Sequence, residues 1–181
     1  LIEAAHGGHT GTVKALLAAE ADPDILNHDG TPMMNIDGAA LIEAAHGGHT
    51  GTVKALLAGG ADPNIQGRYG RTALMDAAVM NKTETVKALL AGGADPNIQG
   101  VDGFDSIALF GARDAETVKA LLAGGANPNI QGRYGMTALM KAVGMGQTET
   151  VKALLAGGAD PNIQDQHGRT VSIDGASNGK T

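Results

Sequence analysis

The chain of 181 residues has no cysteine, no tryptophan and only 2% aromatic residues. Without cysteine there is no disulfide framework, no Cys-ligated zinc site and no thiol nucleophile. Aromatic side chains normally dominate cores and interfaces. A chain holding only Tyr69, Phe104, Phe110 and Tyr134 must pack its interior by other means. Basic residues are in deficit, with 13 Lys and Arg against 19 Asp and Glu and a formal charge of −6. Such a chain is a poor general binder of nucleic acid. No apolar run approaches the roughly 18–20 residues that cross a bilayer. The chain opens Leu1-Ile2-Glu3 with no basic leader before an apolar stretch, so no signal peptide is visible. Localisation is unknown on these grounds, with an intracellular setting as the expectation. The length suits a single domain.

What the chain has in quantity is glycine, 28 residues, and repetition. Residues 1–18 and 41–58 are identical, and Val-Lys-Ala-Leu-Leu-Ala recurs from Val13, Val53, Val86, Val118 and Val151, at spacings of 40, 33, 32 and 33. A period near 33 describes an array, with units at 1–26, 27–66, 67–99, 100–131, 132–164 and a partial, capping unit at 165–181. Residues 67–99 show the grammar of one unit. Gly67-Arg68-Tyr69-Gly70 is a turn. Thr72 stands as N-cap before the helix-forming run Ala73–Ala78. A break near Asn81 leads to a second helix over Glu84–Ala91, which Gly92-Gly93 ends. Leu74, Ala77 and Ala78 make one stripe, and Val86, Leu89 and Leu90 another. Paired alanines let helices approach closely. Neither helix is long enough to stand alone, so each unit must bury its apolar face on the next.

The sequence Gly-x-Thr-Ala-Leu-Met-x-Ala-Ala, followed by Thr-Val-Lys-Ala-Leu-Leu-Ala-Gly-Gly-Ala-Asp-Pro-Asn, resembles the ankyrin repeat. Gly70–Ala78 with Thr85–Asn97, and Gly135–Ala142 with Thr150–Asn162, carry the resemblance most fully. It implies an all-α repeat solenoid, a stack of helix-turn-helix units joined by β-turn fingers. It also implies a non-enzymatic protein–protein interaction module without cofactor. The tetratricopeptide repeat, close in period, expects a Trp and lacks the Gly-Ala-Asp-x-Asn tail.

The departures from the pattern are informative. The first unit starts mid-helix, so that Leu1, Ile2 and Ala5 are expected to face solvent, whereas Ser172 in the last unit suits a polar cap. Arrays normally need polar caps at both ends. Two readings follow: the chain is a fragment, or its bare end stacks on another chain. Sixteen positions separate Ile25 from Leu41, against nine from Ile65 to Leu74, an insertion of seven. It holds Pro32, Met33 and Met34 and is either a functional finger or a duplication scar. Ala39 occupies the usual Thr cap site, and Asp37 is expected to cap the helix. In the fourth unit, which loses one residue between its helices, Asp105 is expected to cap in place of Thr. Phe110 falls where Ala is expected.

Candidate chemistry is sparse. Asn178-Gly179-Lys180-Thr181 ends like a phosphate-binding loop, but that motif needs Gly where Asp174 stands. His6/His9 and His46/His49 have helical spacing, yet a structural zinc site wants four ligands. The resemblance makes His9 and His49 ordinary, while His6 and His46 are extra. No metal is expected. Asn81-Lys82-Thr83 matches a glycosylation sequon that matters only in a secreted protein. Glu84/Lys87, Glu116/Lys119 and Glu149/Lys152 read as a solvated second-helix face.

The resemblance places partner contacts at turn tips and on the exposed side of first helices. Here those are Arg68, Tyr69, Arg71, Val79 and Met80; Val101, Asp102, Phe104 and Arg113; Arg133, Tyr134, Met136 and Met145; and Gln166, His167 and Arg169. All five arginines of the chain fall in this set, while Lys14, Lys54, Lys87, Lys119 and Lys152 lie on second helices. Arg and Tyr are enriched at binding hot spots, and the expected partner is a protein with an acidic surface. Head-to-tail self-assembly through unfinished ends is the alternative. An engineered scaffold is another, suggested by the verbatim duplication.

Overall fold

The computed structural model describes residues 1–26, 39–101 and 107–171. Among these residues there are ten helices and no strand. They are α1 (Ile2–His6), α2 (Thr10–Ala18), α3 (Ala40–Gly47), α4 (Thr50–Ala58), α5 (Ala73–Val79), α6 (Thr83–Ala91), α7 (Ala108–Gly111), α8 (Ala115–Ala123), α9 (Ala138–Gly144) and α10 (Thr148–Ala156). Odd-numbered helices pack on one another in one layer and even-numbered helices in a second, which makes a helical solenoid. The expected insertion finger Pro32, Met33 and Met34, the cap Asp37, Phe104 and Ser172 all lie outside the described residues.

Local chemistry sets the helix starts. Thr72 Oγ accepts the Met75 N–H at 3.3 Å, and Thr137 Oγ that of Met140 at 3.3 Å, each satisfying a donor the first turn leaves open. The helix expected from Glu84 begins one residue earlier, at Thr83. The core is aliphatic. Leu41, Leu74 and Leu139 from one layer and Leu56, Leu89, Leu121 and Leu154 from the other are fully buried, with Ala44, Ala77 and Ala78 between them.

Three kinds of contact, two of them polar, tie neighbouring pairs together. Near the start of the even helices, Thr10 shares a hydrogen bond with Thr52 (2.7 Å), Thr50 with Thr85 (2.8 Å) and Thr83 with Thr117 (2.7 Å). Thr52, Thr85 and Thr117 are buried, where an unpaired hydroxyl is costly. In the tails, Asn64, Asn97 and Asn129 accept the N–H of Asp95, Asn127 and Asp160 at 2.7–2.8 Å. Their amides donate to the carbonyls of Gly93, Gly125 and Gly158. Asp24 accepts the Asp62 N–H at 3.0 Å; a carboxylate has no proton for the second bond.

The third contact explains the paired glycines. A Cβ on Gly59, Gly92, Gly124 or Gly157 would sit 2.5–2.7 Å from Cδ1 of Leu17, Leu57, Leu90 or Leu122 of the preceding pair. The next glycine in each case has φ near +90°, a region open to glycine. The first pair has Ala19-Glu20 here, with Glu20 at φ 62°, and no described leucine presses on it.

Several expectations need correcting. Ala5 is fully buried and Leu1 and Ile2 pack half-buried on the core, because α3 covers α1 from the other side. Asp105, the expected cap, lies outside the described residues, and the N-cap position of α7 is Ile107, whose side chain makes no cap bond. Counted from that cap, Phe110 stands where Ile42, Met75 and Met140 stand, a position for a large apolar residue and not for alanine. The caps Ile107 and Asp114 are seven positions apart, against ten for Thr72 and Lys82, so α7 is cut to a single turn. Asp114 restores a true cap for α8 by accepting the Thr117 N–H at 2.9 Å. The same region lacks the threonine link, since Ala115 stands in its place. Thr150 donates instead to the Arg113 carbonyl at 3.1 Å.

Candidate interaction surface

Two fingers with the sequence Gly-Arg-Tyr-Gly form nearly identical turns. Arg68–Gly70 and Arg133–Gly135 are single 3-10 turns closed by Gly67 N–H to Arg71 O and Gly132 N–H to Met136 O, both 2.9 Å. Tyr69 and Tyr134 sit at φ 59° and 62°, left-handed values that cost a non-glycine residue roughly 1–2 kcal/mol. Three bonds hold each turn in that shape. Gln66 Nε2 donates to the Gly70 carbonyl (2.9 Å) and Gln131 Nε2 to that of Gly135. The Tyr69 and Tyr134 carbonyls accept the N–H of Val101 and Gln166, both at 2.9 Å, which joins each finger to the next. The close approach leaves no room for a Cβ at Gly135, which would lie 2.9 Å from the Gln166 nitrogen.

The strained turn aims each tyrosine outward. Tyr69 is 49% exposed and Tyr134 42%. Arg68 and Arg133 lie over the adjacent rings with the guanidinium carbon 4.7 Å from the centroid. The stack pre-orders a flat cation on a flat ring, an arrangement that reduces the entropy lost on binding.

The other arginines differ from these. Arg71 makes an ion pair with Asp76 and donates from Nε to the same oxygen at 2.7 Å. Arg169 pairs with Asp165 (2.7 Å) and donates through Nε (2.8 Å). The Arg169 backbone N–H on Asp165, with the Arg169 side chain and the His167 N–H, outweighs burial and holds that carboxyl down at about 2. Arg113 is exposed, and its backbone braces the stack: its N–H donates to Asn81 Oδ1 (2.9 Å), and its carbonyl receives Thr150. The segregation of arginines therefore divides into cations that brace the fingers and cations displayed on them. Spacing alone could not separate the two; Asp76 and Asp165, five and four positions from their arginines, were the available signal.

Met80 and Met145 are the C-cap residues of α5 and α9, and both are exposed. Met136 is half-buried against the core. Between α3, α5 and the first finger runs an open groove of about 400 Å³, lined by Ile42, Glu43, His46, Arg68, Tyr69, Arg71, Asp76, Val79 and Met80 among others. The extra histidines point into the seam between pairs. His6 Nδ1 lies 2.9 Å from Glu43 Oε2, and His46 Nδ1 lies 3.9 Å from Asp76. His49 Nε2 donates to the His6 carbonyl at 3.0 Å. These histidines are thus spent on contacts between pairs, and no group of three metal-ligating side chains comes together among the described residues. The lysines of the even helices face away, with Lys87, Lys119 and Lys152 on Glu84, Glu116 and Glu149 at 2.7–2.8 Å.

Stacked helical pairs displaying a row of fingers define the class of helical repeat solenoids. The family model for ankyrin repeats (three copies) matches residues 1–100 and 106–181. The chain belongs to the ankyrin-repeat family. The crystal structure of the ankyrin repeat domain of Bcl-3, described as a unique member of the IkappaB protein family, is similar, with TM-score 0.79 and 29% identity over 91% of this chain and 72% of that one. No curated protein sequence matches significantly. At least 500 solved chains match, so the likeness fixes a fold and not a particular partner. Ankyrin repeats are in general protein-binding modules and typically non-enzymatic. Among the described residues no helix is long and apolar enough to cross a membrane.

Proposed function

We propose that this chain binds a protein partner through its fingers and the exposed ends of the odd helices. One observation carries the reading. Of the seven large hydrophobic side chains that are exposed among the described residues, five (Tyr69, Met80, Val101, Tyr134 and Met145) lie on this one surface. Solvent-exposed apolar groups that cluster beside arginine are characteristic of interfaces. Arg68 and Arg133 supply positive charge to an otherwise acidic chain, which suits a partner with carboxylates at the finger tips. Replacing Arg68, Tyr69, Arg133 and Tyr134 with alanine is expected to preserve the circular dichroism spectrum and to abolish capture of the partner that the intact array retains. A quadruple variant that captures the same protein with unchanged affinity refutes the assignment.

Stacking of copies end to end is a second reading, supported by the exposure of Leu155, whose counterparts each press on a glycine of the next pair. A second copy would offer Ala19 at that place, and its Cβ weighs against the fit. Light scattering over a range of concentrations decides: a mass that stays monomeric removes this reading.

A further inference from the structure

We infer that the groove beneath the first finger is a receptor for one lysine side chain of a protein partner. The inference rests on the reading of this surface as a partner-binding face and adds a specific anchor to it. Its centre is Glu43, which lines the groove although the residue is only 6% exposed. Among the described residues its carboxylate has one hydrogen bond, from His6 to Oε2 at 2.9 Å. A carboxylate presents about four acceptor sites on two oxygens. One oxygen of a nearly buried anion therefore remains for a donor from the groove side.

The other charged side chains in the groove have contacts of their own. Asp76 carries Arg71 on one oxygen, with His46 beyond, and Arg68 is laid over Tyr69. Among the described residues, Glu43 is the lining carboxylate with no lysine or arginine on it. Part of the lining is apolar: Ile42, Val79 and Met80 lie along the groove on α3 and α5. A groove with aliphatic lining and a nearly buried carboxylate matches a side chain with an aliphatic stem and a cationic end. Lysine fits better than arginine. With Oε2 committed to His6, one oxygen is open, which suits a point ammonium, whereas a guanidinium fork seeks two. The chain does not supply this cation from the stretch next to α3, because residues 27–38 contain neither lysine nor arginine.

The test uses Nα-acetyl-lysine N-methylamide as probe, titrated into the isotope-labelled full chain while amide shifts are followed by NMR. Saturable shifts are expected at Ile42–His46 and Asp76–Met80. Glu43→Gln should weaken the affinity roughly tenfold or more, the effect of losing one charge-assisted hydrogen bond. The norleucine analogue, with the same stem and no charge, should bind as weakly as the variant does, and the arginine analogue less tightly than lysine. Lysine and norleucine analogues of equal affinity, a tighter arginine analogue, no saturable shift, or wild-type affinity in Glu43→Gln would each overturn the inference. Should Glu43→Gln lose its fold, Met80→Trp puts a larger side chain on the groove lining with Glu43 intact; it should cost the same tenfold, and unchanged affinity refutes the site. A silent probe leaves the finger surface standing, because Arg133 and Tyr134 do not line the groove and their replacement is read by partner capture. Lost capture with a silent probe removes only the lysine site, and a saturating probe with unchanged capture removes only the finger reading.

Discussion

Replacing Gly124 with alanine isolates what holds one helical pair on the next. Gly124 has φ −82° and ψ 5°, values alanine adopts freely, so the backbone adds no strain. The new Cβ would stand 2.6 Å from Cδ1, 2.7 Å from Cδ2 and 3.0 Å from Cγ of Leu90. With all three branch atoms this close, rotating the leucine end is not sufficient and the side chain must move as a whole. If Leu90 swung fully into water it would lose about 1.5–3 kcal/mol of burial; it is half-buried now, so the loss lies in the lower part of that range. Glycine-to-alanine replacement returns roughly 0.4–1 kcal/mol by restricting the unfolded chain. The expected net destabilisation is about 1 kcal/mol, measured as a lower urea midpoint by circular dichroism with the slope unchanged. In a Leu90→Ala background the obstacle is gone, and Gly124→Ala should become neutral or stabilising. Ala19→Gly in the first pair should do the opposite of the reverse change at Gly124. With no described leucine against it, loss of the methyl costs about 0.4–1 kcal/mol. A Gly124→Ala chain that is more stable than wild type, or one destabilised equally with and without Leu90, would refute the steric account.

Other outcomes follow from the same contacts. Ala115→Thr should recreate the missing threonine link with Thr150 and raise the unfolding free energy, read from a higher urea midpoint, by up to about 1 kcal/mol; no change would mean that the Arg113 carbonyl is an equal partner. Asp165 has its folded value lowered from 3.8 to about 2, so its contribution is complete above pH 3.8 and is lost as pH falls through about 2. Wild type should therefore lose its stability advantage over Asp165→Asn across that interval, and parallel pH profiles would contradict the assignment. Hydrogen exchange should find α7 and α9 less protected than α3 and α5, because α7 has a single turn to offer its neighbour; uniform protection along the odd helices would refute this.

The repeat period, the helix pairs and the aliphatic core were legible in the sequence because they depend on spacing that every copy repeats. Leu74, Ala77 and Val86 fall on their stripes by period alone, and Tyr69 and Tyr134 fall on turn tips because glycine flanks them. Legibility failed where one copy is unlike the rest. The start of α7 behind Ile107, with Ile107, Leu109 and Phe110 buried, is not legible because no threonine marks it and its spacing to the next helix is shorter than in the other copies. Ala5 was misjudged because covering by α3 depends on a segment far along the chain. At the proposed interaction surface, residue type located the arginines but not their engagement. Whether Arg71 is displayed or tied to Asp76 depends on side-chain geometry across the start of one helix, which spacing does not resolve.

The same geometry bears on what a partner would do to the array. In a solenoid, stability is close to a sum of pair terms and neighbour terms, so the weakest junction sets where the stack opens. Here that junction lies between α7 and α9. The threonine link is replaced by a backbone contact, and Lys141 spans to the Phe110 carbonyl at 2.8 Å where α7 ends early. The two Arg-Tyr fingers stand on opposite sides of it, Tyr69 before α7 and Tyr134 after. A partner held by both fingers must bridge the weak junction and bind its closed form in preference to the opened one. By linkage the stabilisation grows with partner concentration and falls mainly on that junction. A partner using only the first finger and the groove would leave α9 and α10 as they were. The irregular fourth pair therefore makes the choice between one-finger and two-finger engagement readable from protection in α9, without any knowledge of the partner's own structure.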